Sequence, residues 1–266
     1  MIIVAVSVLV GYLAVAALLF FAQRSILFQP PARAEFPALE QGALLRIPGP
    51  ADAPEVVATW LAPPTTGAPA VVFFHGNAEQ LADGLGQARA LHSLGLGVLC
   101  VEYPGYGLSP GAPSRNSLLA AAEAALAHLH GPLGVPVSRT TLLGHSLGSA
   151  VAAEMAAAGE GSRLVLVSPM TSIREMAALV APFLPVSLLV RDRFDTLALA
   201  PRLPRRTVIL HGTSDEVIPF AMGRALSAAL PGALFVPIEG GHHNDLFAAY
   251  GQRVWPQIGS FLLSEQ

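Results

Sequence analysis

The sequence predicts an α/β protein built on a mostly parallel, doubly wound sheet with helices on both faces, preceded by one apolar helix. Three observations carry this. Short apolar runs recur along the chain without polar alternation, as strands covered on both faces require. Longer helical patterns separate these runs, and strand–helix alternation implies a parallel sheet. An uncharged stretch opens the chain, from Ile2 to Ala22. With 266 residues the chain can bury one large core in a single domain.

In the opening stretch only Ser7, Gly11 and Tyr12 interrupt the apolar run. As a helix it would measure about 32 Å, against about 30 Å for the hydrocarbon core of a bilayer. Nothing basic precedes it, and Arg24 and Arg33 follow it. A cleaved signal peptide would show a basic start and a shorter apolar core. The pattern therefore favours an uncleaved single-pass anchor, with the following domain on the cytoplasmic side. An outward-facing anchor, a cleaved signal and a buried core helix are the rivals. The expected organisation is residues 1–24 as anchor, 25–38 as linker and 39–266 as the α/β domain.

Gln29-Pro30-Pro31 ends the first helix, because proline cannot continue it. Ala43 to Ile47 and Val56 to Leu61 read as strands around the turn Pro48-Gly49-Pro50. Further strands are expected at Ala70–Phe74, Gly97–Val101, Thr140–Leu143, Leu164–Val167, Thr207–Leu210 and Leu234–Ile238. Helical patterns lie at Leu81–Leu94, Asn116–His130, Leu147–Ala158, Phe220–Leu230 and Asp245–Leu263. The segment 170–205, broken by Pro182 and Pro185, is too short for a domain but long enough for a small cap.

Composition narrows the function. The chain is 53% hydrophobic and 12% charged, with net charge −3. Its 15 basic residues are all arginine and scattered, so a nucleic-acid partner is not expected, since phosphate binding needs a concentrated basic face. Cys100 is the only cysteine, which excludes an internal disulfide and a thiolate metal site. No metal or other cofactor is expected. His128 and His130 sit two apart near a helix end, a poor geometry for sharing a metal, and read as surface residues.

In open parallel sheets, ligands bind beyond the carboxyl ends of the strands. There, Gly144-His145-Ser146-Leu147-Gly148 forms a G-x-S-x-G elbow between a buried strand and an alanine-rich helix. Only small residues fit so sharp a turn, which lifts the Ser146 hydroxyl clear of the sheet. A serine needs a base, and the base needs an orienting acid. Asp215 is the expected acid, with Glu216 beside it, Asp245 reading as a cap for the last helix and Glu102 preceding the serine. For the base, the residues leave His242 and His243 open. An oxyanion hole would draw on the amide of Leu147 and on that of Asn77, in the His75-Gly76-Asn77 loop after strand Ala70–Phe74. His75 reads as a brace for that loop.

At these residues the chain resembles the α/β-hydrolase superfamily from about Leu39 onward. More narrowly, His75-Gly76-Asn77, Tyr103-Pro104-Gly105-Tyr106-Gly107, the elbow, His211-Gly212-Thr213-Ser214-Asp215-Glu216-Val217-Ile218-Pro219 and His243-Asn244-Asp245 are similar to a membrane-tethered branch that includes protein depalmitoylases. The resemblance implies the α/β-hydrolase fold, Ser146 and Asp215 in the roles above, and His243 as base, since the motif places it directly before Asn-Asp. Where those depalmitoylases carry an N-terminal cysteine cluster, this chain has the apolar helix. The expected reaction is transfer of an acyl group from an ester or thioester to water. A peptidase or acylaminopeptidase, and a non-catalytic binding protein on the same fold, are the alternatives.

Overall fold

The structure, a computed structural model, describes residues 1–32, 36, 39–50 and 53–264. Arg33, one of the two arginines expected to flank the anchor, lies outside the described residues. Eight strands form one sheet in the order β1-β2-β4-β3-β5-β6-β7-β8. They are β1 (Ala43–Ile47), β2 (Val56–Leu61), β3 (Ala70–Phe74), β4 (Gly97–Val101), β5 (Thr140–His145), β6 (Arg163–Val167), β7 (Thr207–Gly212) and β8 (Leu234–Ile238). β2 runs antiparallel to β1 and β4, and every pairing from β4 to β8 is parallel. This is the α/β-hydrolase fold.

The continuous apolar runs end up where their chemistry requires. β3 and β4 are buried at every residue, and their side chains alternate between two cores. Val72 and Phe74 join one, with Leu118, Leu126, Val151 and Leu226. Val71 and Phe73 join the other, with Leu91, Val254 and Ile258. The first layer holds α3 (Arg115–His130), α4 (Leu147–Ala157) and α8 (Phe220–Ala229); the second holds α2 (Leu85–His92) and α9 (Gly251–Leu263). Ser114 opens α3 with a reciprocal capping box to Ser117, an arrangement that contributes about 1 kcal/mol.

Two helices are shorter than their apolar patterns suggest. The Leu81–Leu94 pattern yields only Leu85–His92, because Asp83 accepts from the Gln80 amide and holds the preceding residues in turns. The last helix starts at Gly251, not at Asp245. Asp245 therefore does not cap it. Its carboxylate accepts from the His242 amide at 3.0 Å, and its carbonyl closes the turns to Ala248 and Tyr250. His130 is half-buried and donates from Nδ1 to the Val135 carbonyl at 2.8 Å.

Helix α1 (Ile2–Leu27) has a mean hydropathy of 2.8 over its most apolar window, long and apolar enough to cross a membrane. Its first ten residues stand free, but a stripe of Ala16, Leu19, Phe20, Gln23 and Leu27 is half-buried. That spacing of three and four residues is one helix face, and it lies on the segment between β6 and β7. There α5 (Ile173–Val180), α6 (Val186–Leu189) and α7 (Thr196–Leu199) follow one another, with Pro182 and Pro185 in the break between the first two. The Tyr12 hydroxyl donates to the Phe183 carbonyl at 3.1 Å, and Gln23 pairs with the backbone at Leu189 and Arg191. Arg24 forms a forked ion pair with Asp192.

Candidate active site

The ends of β5, β7 and β8 bring three polar side chains together. Ser146 sits between β5 and α4 with φ 53 and ψ −117, a strained backbone for any residue with a side chain. The elbow survives because its neighbours are glycines. A Cβ on Gly144 would lie 2.1 Å from the Gly148 carbonyl oxygen, and one on Gly148 would lie 2.0 Å from that of Phe74. Either contact is impossible without moving backbone, so the strand, the turn at Ser146 and the helix interlock.

His243 Nε2 lies 2.9 Å from Ser146 Oγ. Its Nδ1 lies 2.8 and 3.0 Å from the two carboxylate oxygens of Asp215. A carboxylate only accepts, so Nδ1 carries the proton and donates, leaving Nε2 to accept from the serine hydroxyl. Asp215 also accepts from the amides of Val217 and Ile218. Burial opposes its charge, but hydrogen bonds from His211 and His243, the electrostatic attraction of the nearby His243 ring and the Ile218 amide outweigh that and hold its carboxyl far below the usual range.

The adjacent histidines separate cleanly. His243 is buried against Ser146, whereas His242 is exposed and pairs with exposed Glu216 at 3.1 Å. Glu216 is thereby directed to solvent. Glu102, which follows β4, lies 2.9 Å from His75 Nε2 and accepts from the Leu81 amide. His75 donates from Nδ1 to the Gly76 carbonyl and braces the loop from beneath, under Tyr103.

Leu147 opens α4, whose first-turn amides have no acceptor within the helix. Asn77 follows β3, next to β5 in the sheet, so both expected oxyanion donors belong to neighbouring strand ends. Two further polar residues stand at positions to which the motifs assign no role. Glu79 accepts from the Gly76 amide at 2.6 Å and stands 3.3 Å from His145 Nδ1. The His145 ring lies against that of His243, with centroids 5.4 Å apart. Burial works against both charges, yet their pairing wins: Glu79 falls to about 2 and His145 is raised. His145, the residue before Ser146 in the elbow, thus links the His75–Asn77 loop to His243. Among the described residues, no cluster of three or more metal-ligating side chains occurs.

A serine poised on an elbow in this sheet defines the α/β-hydrolase class. The family model described as serine aminopeptidase S33 matches residues 67–195. Uncharacterized protein Rv2307c of Mycobacterium tuberculosis is 36% identical over 206 residues, covering 76% of this chain and 73% of that protein. The α/β hydrolase domain-containing protein WAV2 of Arabidopsis thaliana is 31% identical over 219 residues, covering 75% and 71%. Among solved structures, the Pyrococcus furiosus esterase Pf2001 superimposes with a TM-score of 0.72 at 16% identity, over 88% of this chain and 98% of that one. The chain belongs to the α/β-hydrolase family.

Proposed function

We propose that this hydrolase cleaves carboxylic esters or thioesters of apolar acyl groups at a membrane, through an acyl-enzyme on Ser146. The observation that carries the reading is the 2.9 Å contact between His243 Nε2 and Ser146 Oγ, with Asp215 on the opposite ring nitrogen. As the serine attacks the carbonyl carbon, His243 takes its proton and Asp215 stabilises the imidazolium. The amides of Leu147 and Asn77 receive the charge that develops on the carbonyl oxygen. His243 then returns the proton to the leaving oxygen or sulfur. Water attacks the acyl-enzyme by the same route in reverse.

The membrane enters through α1, read as an uncleaved anchor with Arg24 marking the cytoplasmic end. Its half-buried stripe fixes it to the segment 170–205, which is the small cap in this reading, and supports retention of the helix. The match to a serine aminopeptidase family favours a second reading, hydrolysis of amides. Purified full-length protein should react with a fluorophosphonate probe, and Ser146→Ala should not. A chain-length series of acyl esters and thioesters, run beside aminoacyl amides, separates the two substrate classes. Equal labelling of the Ser146→Ala protein would remove the nucleophile assignment, and faster turnover of the amides would favour the peptidase.

A further inference from the structure

The half-buried side chain of Asn77 is bonded to the end of α1. Its Nδ2 donates to the Leu27 carbonyl at 2.8 Å, and its Oδ1 accepts from the Gln29 amide at 3.0 Å. The same Oδ1 accepts from the Tyr106 hydroxyl at 2.7 Å. An amide that gives to residue 27 and takes from residue 29 grips the backbone on both sides of Phe28. Phe28 itself is 2% exposed and packs into the larger core. The exit of α1 is consequently held by its backbone on both sides and by the buried ring between.

The loop so gripped is under strain. Ala78, the next residue, has φ 58, a left-handed conformation that a residue with a Cβ rarely adopts. Such a backbone persists only where its surroundings over-determine it. Two groups do so here: Glu79, through the Gly76 amide, and Asn77, through the end of α1.

We propose that Asn77 is a positioning residue that makes the oxyanion loop depend on the docked anchor: its side chain clasps residues 27–29 and thereby sets its own backbone amide. This rests on the reading of that amide as an oxyanion donor. Docking of α1 and assembly of the catalytic site are then a single event, and a chain whose first helix is pulled away is a slow enzyme with an intact triad.

Gln29→Pro tests this with Asn77 and the triad unsubstituted; its ring carbon takes the place of the amide hydrogen that faces Asn77 Oδ1, and the Gln29 side-chain bond to the Ile26 carbonyl is lost with it. It deletes the one N–H that Asn77 Oδ1 takes from the anchor exit. Phe28, at φ −104 and ψ 117, already has the extended backbone that a following proline demands. Asn77→Asp is the second variant: it keeps the size and the acceptor and loses the donor to Leu27. Full-length proteins in the same detergent would be compared on a short water-soluble ester, with kcat expressed per active site titrated by fluorophosphonate, so that a misfolded fraction does not count. Both variants should lose about tenfold or more in kcat, because small misplacements at a reacting centre are costly, while KM stays within about twofold. Amide hydrogen exchange should rise in the 75–80 peptide of both variants and stay unchanged around residue 243. Unchanged kcat per site with unchanged exchange would overturn the proposal. An inactive wild type would instead count against the hydrolase assignment, and the exchange pattern would still decide the clasp.

Discussion

The two halves of the candidate site are built differently. On the β5–β7–β8 side, Ser146, Asp215 and His243 each sit in a turn whose local sequence announces it, and they reach one another through their side chains. On the β3 side, the His75–Asn77 loop is held by backbone at Leu27 and Gln29 and a glutamate three residues on, which carry no signature, and by two buried tyrosines of the Tyr103–Gly107 motif. Each of the three side chains thus sits in a turn that its own stretch of sequence marks, while the contacts that hold the β3 loop are spread across the chain.

The sharpest way to break this comparison is at the histidines. His243→Ala should reduce turnover by about 10⁴-fold or more, as loss of a triad base does. His242→Ala should stay within about threefold, since its ring pairs with exposed Glu216. Steady-state rates of the two variants check this, and the opposite ranking would move the base by one residue. Next in size is Gly148→Ala, where the added methyl meets the Phe74 carbonyl oxygen. Overpacking of that kind destabilises by about 1–3 kcal/mol or more, read as a lower thermal midpoint together with lost probe labelling. Destabilisation without lost labelling would show that the elbow tolerates what its geometry forbids.

The smallest effect concerns Glu79 and His145, and it has a defined pH window. Glu79 is lowered from 4.5 to about 2, so its contribution to stability is complete above 4.5 and fades as pH falls toward 2. His145 is raised above 6.5, so its contribution is complete below 6.5 and fades as pH climbs through the raised value. The thermal midpoint of the wild type should exceed that of Glu79→Gln most clearly between pH 4.5 and 6.5, narrowing on either side. A gap independent of pH would mean that the pair is not ionised.

Much of the sheet was legible because buried parallel strands leave unbroken apolar runs, and the elbow because glycines at 144 and 148 admit few explanations. Helix ends were harder. Asp245 offered the right side chain for a cap, but its carboxylate is taken by the His242 amide, which no local pattern records. The residues themselves did not separate His242 from His243; burial does, and burial is set by how the β8 loop lies over β5. Asn77 was legible as a position and not as a clasp, because its partners at Leu27 and Gln29 are main-chain atoms about fifty residues away.

The bond from Tyr12 to Phe183 has a consequence for depth. Tyr12 and Arg24 are separated by about 18 Å along the helix axis, while the chain it touches runs from Phe183 to Asp192 beside it. The helix is lashed alongside the body and projects only by its first three turns. A lipid layer that reached up to Arg24 would therefore also have to make room for Phe183 and Leu188, both of them exposed and apolar.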